Sequence, residues 1–143
     1  MKAQQLSIFL ENKPGALKQA IKALSDANVN IRAMSLADTE DFGILRLIAN
    51  DNNTAINALQ EVGFIVQLTD VVAVEVPDRP GGLYEILSIL SQQEINTEYA
   101  YAFIARNSDK AITIFRFTQT DEGIKLLTEK GVSIIPGERL YSM

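Results

Sequence analysis

The chain has no cysteine and no histidine among its 143 residues. Without cysteine there can be no disulfide, thiolate nucleophile or iron–sulfur ligand, and the usual zinc sets are gone as well. Without histidine the chain lacks the side chain that most readily exchanges protons near neutral pH. Carboxylates, lysines and tyrosines could still do acid–base work, yet a self-contained enzyme is not the expectation, and no cofactor or metal is implied. Apolar runs fall far short of the ~18–20 residues that cross a membrane. The opening "MKAQQLSIFLENKPG" has neither an extended apolar stretch nor a small-residue cleavage site, so a cytoplasmic protein with no membrane partner is expected. Blocks of Lys and Arg are missing too, and the formal charge is −5. Phosphate neutralisation needs the opposite balance, so nucleic acid is not an expected partner.

What is present is a globular composition, 47% hydrophobic and 22% charged, written twice. "ENKPGALKQAIKAL" (11–24) returns as "PDRPGGLYEILSIL" (77–90). Leu17, Ala20, Ile21 and Leu24 match Leu83, Ile86, Leu87 and Leu90, each pair 66 positions apart. Their spacing is one apolar stripe on an amphipathic helix. Pro14-Gly15 matches Pro80-Gly81, and Asn30 matches Asn96, at the same offset. Further on, "ILRL" (44–47) resembles "IFRF" (114–117), and "INALQEVGF" (56–64) resembles "IKLLTEKGV" (124–132), with slips where loops are expected. The chain therefore reads as two units, 1–69 and 70–143.

Each unit predicts the same order. A strand (6–10; 71–76) runs through the Pro-Gly turn into the helix. A second strand (31–37; 95–105), a polar tip ("DTED"; "RNSDK") and a third strand (42–49; 111–117) follow. A second helix (54–62; 121–130) leads to a short fourth strand (65–68; 132–135). This is βαββαβ twice: an α+β fold of two ferredoxin-like units, antiparallel sheets with helices on one face. Alternation points Val72, Val74 and Val76 toward the helices, with Leu45, Leu47, Phe115 and Phe117. Ile44, Arg46 and Ile48, and Ile112, Ile114 and Arg116, take the other face, which is too apolar to stand open. Tyr99, Tyr101 and Phe103 alternate with alanines as sheet residues do.

The "ENKPGAL" turn, amphipathic helix and "NVNI", set inside a βαββαβ unit, resemble the ACT domain, and the resemblance spans the whole chain twice. It implies a free-standing tandem ACT protein: a regulatory module that binds an amino acid where two ACT units pair, within one chain or between chains, and acts on an enzyme of amino-acid metabolism; the outward apolar sheet face adds the expectation of a homodimer. In the serine-binding ACT domains of phosphoglycerate dehydrogenases an Asn of the turn and an Asn opening the second strand hold the ligand. The matching residues here are Asn12 and Asn30. The implied site takes in Asn12, Lys13, Pro14, Gly15, Ala16 and Leu17 with Asn30 and Ile31. In the second unit it takes in Asp78, Arg79, Gly81, Gly82 and Leu83 with Asn96. Asp78 departs from the pattern; its carboxylate would repel a ligand carboxylate, so the first site is expected to bind better.

Physical chemistry favours the same place. A helix N-terminus offers unpaired N–H groups to a carboxylate, and Gly15, Gly81 and Gly82 leave the backbone approachable. Other readings stand beside it. Asn12 and Asp78 are also good capping residues, and Asn30 and Asn96 could serve loop backbone. Arg46 and Arg116 read as surface arginines paired to a neighbouring carboxylate, such as Glu75. Asp38, Glu40 and Asp41 read as a solvated hairpin tip without metal-ligand spacing. A regulatory subunit that docks an enzyme with no ligand of its own is the alternative function.

Overall fold

In the computed structural model the chain folds into two compact units, Gln4–Thr69 and Met1–Ala3 with Asp70–Met143. Residues 1–38, 40–103 and 110–143 are described. Parts of both predicted polar tips, and residues 104–105 of the predicted second strand, lie outside them.

The N-terminal unit runs β1 (Ala3–Glu11), α1 (Ala16–Asp26), β2 (Ile31–Asp38), β3 (Phe42–Ala49), α2 (Asn52–Glu61) and the first part of β4 (Ile65–Pro77). Its strand order is β2-β3-β1-β4. Antiparallel register sets Leu6 opposite Leu47, Ile8 opposite Leu45 and Leu10 opposite Gly43. Those leucines and Ile8 meet Ala20 and Leu24 of α1 and Leu59 of α2 in one core. Odd positions of β1 take the other face, where Gln5 is buried and donates to Ser7 Oγ at 3.0 Å; Ser7 in turn bonds Thr69 Oγ1 at 2.9 Å.

The C-terminal unit uses the rest of β4, α3 (Gly82–Gln92), β5 (Thr97–Phe103), β6 (Lys110–Phe117), α4 (Thr120–Glu129), β7 (Ile134–Ile135) and α5 (Gly137–Ser142). The order is β5-β6-β4-β7. Val72, Val74 and Val76 pack with Ile86, Leu90 and Leu127, as alternation predicts. Phe115 and Phe117 join them, their rings stacked with centroids 5.4 Å apart. Both units are thus α+β, with helices on one face of an antiparallel sheet. The opposite faces are buried at Ile48, Ala73 and Ile114.

The helices end alike. Val29 N–H bonds Leu24 O and Asn28 N–H bonds Ser25 O, the Schellman closure with Asn28 left-handed. The same pair of bonds closes α2, α3 and α4, with Gly63, Glu94 and Gly131 at the left-handed position.

Three expectations change, and one helix is added. Strands predicted at 65–68 and 71–76 are one strand, Ile65–Pro77, because Thr69 and Asp70 between them contain no glycine or proline to break it. The second strand of the C-terminal unit starts at Thr97, since Ile95 is drawn into the core by the closure of α3. Arg116 pairs with Glu98 (3.5 Å) and the Asp70 carbonyl (2.8 Å), while Glu75 takes Lys110. The helix α5 was not read from the sequence. It is anchored by buried Leu140 and by Gly137, where a β-carbon would press on Lys2 and Ala3.

Candidate functional site

The two β-to-α turns share one backbone. Gly15 (φ 88°) and Gly81 (φ 86°) are left-handed, a region that other residues enter at a cost, and each sits directly before its helix. No side chain caps α1 or α3. The capping reading of Asn12 therefore does not hold: its N–H bonds the Asp41 carbonyl (2.9 Å) and its Nδ2 the Glu40 carbonyl (3.3 Å), tying the turn to the β2–β3 hairpin. Asp78 is no cap either, and no described residue pairs with its exposed carboxylate. By contrast α2 is capped, with Asp51 accepting from Thr54 N–H at 3.2 Å and Thr54 Oγ1 at 2.7 Å. Both bonds favour the ionised form and hold the Asp51 carboxyl below its ordinary value.

Charges flank the turns. Lys13 Nζ lies 2.9 Å from Glu11 Oε2, and this bond and charge hold the Glu11 carboxyl below its ordinary value. In the second turn Arg79 reaches forward to both oxygens of Glu85, at 2.9 and 3.1 Å. Gly82 differs from the expectation for it. A β-carbon there would run into the Pro77 carbonyl, so its missing side chain serves the chain's own backbone. Around Gly15 and Gly81 a β-carbon would meet nothing within 4 Å.

Clefts surround these turns. Lys13, Pro14, Gly15 and Ala16, with Lys18 and Lys22, edge a hollow of about 550 Å³ at the start of α1. Leu17 packs against the N-terminal core, whereas its counterpart Leu83 is 46% exposed. Asn30 and Ile31 line a different cleft of about 370 Å³, beyond the far end of α1. Asn30 bonds Asn50 twice: its carbonyl accepts from Asn50 N–H at 3.1 Å, and its N–H donates to the Asn50 side-chain Oδ1 at 2.9 Å. Asn96 contacts Thr118 Oγ1 at 3.5 Å. Eleven residues of α1 separate Asn12 from Asn30, a length of about 16 Å. One amino acid cannot touch both within one unit.

A further cleft, present in both units, was missed in the sequence. In the N-terminal unit it has about 260 Å³ and lies between the β1–α1 turn and the α2–β4 turn; its matched counterpart in the C-terminal unit has the same volume. The signal was available: Phe9 faces away from the core on β1, and "VGFI" (62–65) puts apolar residues on a turn.

Two split-βαβ units of one build, repeated in tandem, define a duplicated ferredoxin-like protein. A family model described as an ACT domain pair matches residues 1–143, and the chain belongs to that family, whose members are typically regulatory and non-catalytic. It is similar to the crystal structure of protein BT0572 from Bacteroides thetaiotaomicron: 40% identity, TM-score 0.93, covering 100% of this chain and 98% of that one. It shares its fold with the regulatory subunit of aspartate kinase from Thermus thermophilus, at 13% identity and TM-score 0.60, covering 88% and 90% of the two chains. The corresponding subunit from Thermus flavus gives 14% identity and TM-score 0.62, with 90% and 92% covered. No match was found among curated proteins. Among the described residues no helix is long and apolar enough to cross a membrane, and no cluster of acidic side chains is arranged to hold a metal ion.

Proposed function

We propose that this ACT domain pair is a non-catalytic regulatory protein that binds an amino acid and modulates an enzyme of amino-acid metabolism. The observation that carries the reading is the pair of uncapped helix starts behind left-handed Gly15 and Gly81. Each leaves N–H groups and the positive helix end for an α-carboxylate. Asn12 and Asn30 lie at opposite ends of α1, so a ligand held by both kinds of Asn takes one from each of two paired units. Asn12 and Asn30 both belong to the N-terminal unit, so a ligand that touches these two takes them from two copies of the chain, as a homodimer supplies. Calorimetry across the twenty amino acids tests it. A micromolar Kd corresponds to a binding free energy of about −8 kcal/mol; binding of none to the folded protein rejects it.

A second reading rests on α3. Leu83, Tyr84 and Leu87 stand exposed together on its first turns, an apolar face suited to docking an enzyme. Under that reading a partner enzyme binds equally well with and without any amino acid.

A further inference from the structure

We infer that the cleft between the β1–α1 and α2–β4 turns of the N-terminal unit takes a single amino acid with an apolar side chain. The inference rests on the amino-acid-binding reading above and names the ligand class within it. Four large apolar side chains stand exposed around this one cleft: Phe9 (44%), Phe42 (52%), Val62 (59%) and Ile65 (65%), with Phe64 beside them. Apolar side chains left open to water around a concavity carry a cost that a ligand relieves. At about 260 Å³ the cleft falls just below the ~300–1,000 Å³ typical of small-molecule sites, so its occupant is small.

The polar rim says what else the occupant carries. Glu11 and Lys13 border the same cleft and form an ion pair at 2.9 Å, both well exposed. Glu11 lies directly across the ladder from Phe42. A zwitterion can open that pair, its ammonium meeting Glu11 and its carboxylate meeting Lys13 at the uncapped start of α1, where Ala16 borders the same cleft, while its side chain enters among the apolar groups. An apolar compound with one charge satisfies only one partner.

The matched cleft shows that this lining is not imposed by the fold. Phe9 corresponds to Glu75, Val62 to Lys130 and Ile65 to Ser133, and Glu85 and Lys110 add further charge. Lys110 and Glu75 already pair there, at 3.5 Å. The same backbone therefore offers an apolar cleft in one unit and a charged one in the other.

The test is calorimetric titration of the full chain with leucine, isoleucine, valine, methionine and phenylalanine, then serine, aspartate, glutamine and lysine. Val62→Lys gives the exposed N-terminal position the residue of its counterpart, with melting temperature as the folding control. Apolar amino acids should bind, and Val62→Lys should weaken them about tenfold or more while melting stays unchanged. An analogue of the best ligand lacking its ammonium should also bind more weakly. Selective binding of polar amino acids overturns the inference and leaves the functional reading standing. Apolar binding untouched by Val62→Lys overturns it too, as does a change in mass by light scattering with ligand affinity intact, which would make the cleft a contact between copies. Binding of no amino acid removes both.

Discussion

Asn28 and Glu94 hold the same left-handed backbone position, φ 59° and 56°, each closing the first helix of its unit. Asparagine tolerates that region because its short side chain can bond locally; glutamate has no such compensation. Glu94→Gly should stabilise the protein by about 0.5–1 kcal/mol, the relieved strain being partly offset by the freedom glycine gains when unfolded. Urea unfolding at constant m-value measures it. Asn28→Gly should give less.

Gly82 should tolerate no side chain. Its β-carbon would collide with the Pro77 carbonyl, which is backbone and cannot rotate away. Gly82→Ala is expected to cost about 1–3 kcal/mol in the same assay. The matched residue of the N-terminal unit is Ala16, so the two turns share their left-handed glycine and differ one residue later.

Asp51 gives a pH dependence of known sign. Its folded-state pKa is lowered by the Thr54 bonds. The cap's contribution is therefore complete above the unfolded-state pKa and is lost as pH falls through the folded one. Asp51→Asn should keep the cap, since asparagine caps as well as aspartate, and remove this part of the acid sensitivity. Unfolding midpoints at pH 7 and at about pH 3 for wild type and variant check it.

Leu24→Ala and Leu83→Ala should differ sharply, although both leucines lie on the repeated stripe. Leu24 is fully buried and its loss should cost about 2–5 kcal/mol. Leu83 is nearly half exposed, and its loss should cost far less, about 0.5 kcal/mol.

That contrast marks what a repeated pattern can tell. Spacing of Leu17, Ala20, Ile21 and Leu24 identifies a helix and its apolar face, and alternation through Val72, Val74 and Val76 identifies the core side of a strand. Both are properties of one element, set by its own period. Whether Leu83 and Leu87 find something to pack against depends on what stands opposite, which a stripe does not encode. The partner of Arg116 was misread for the same reason: Glu98 and the Asp70 carbonyl reach it through strand register that the sequence leaves open. At the candidate site, the Pro-Gly turns were legible because a left-handed residue before a helix calls for glycine. Asn12's bonds to the hairpin were not, because they join residues 28 and 29 positions apart. Six-residue α5 carries too few turns for a period to show.

The central claim is that an amino acid is bound at an uncapped helix start. The most direct test is to follow the backbone amide signals of Leu17 and Lys18, the first turn of α1, by ¹⁵N-resolved NMR during titration with the amino acid that calorimetry selects. The account predicts saturable shifts at those amides, with Gly15, at the calorimetric affinity. Saturable binding that leaves the first turns of both α1 and α3 unmoved would contradict it.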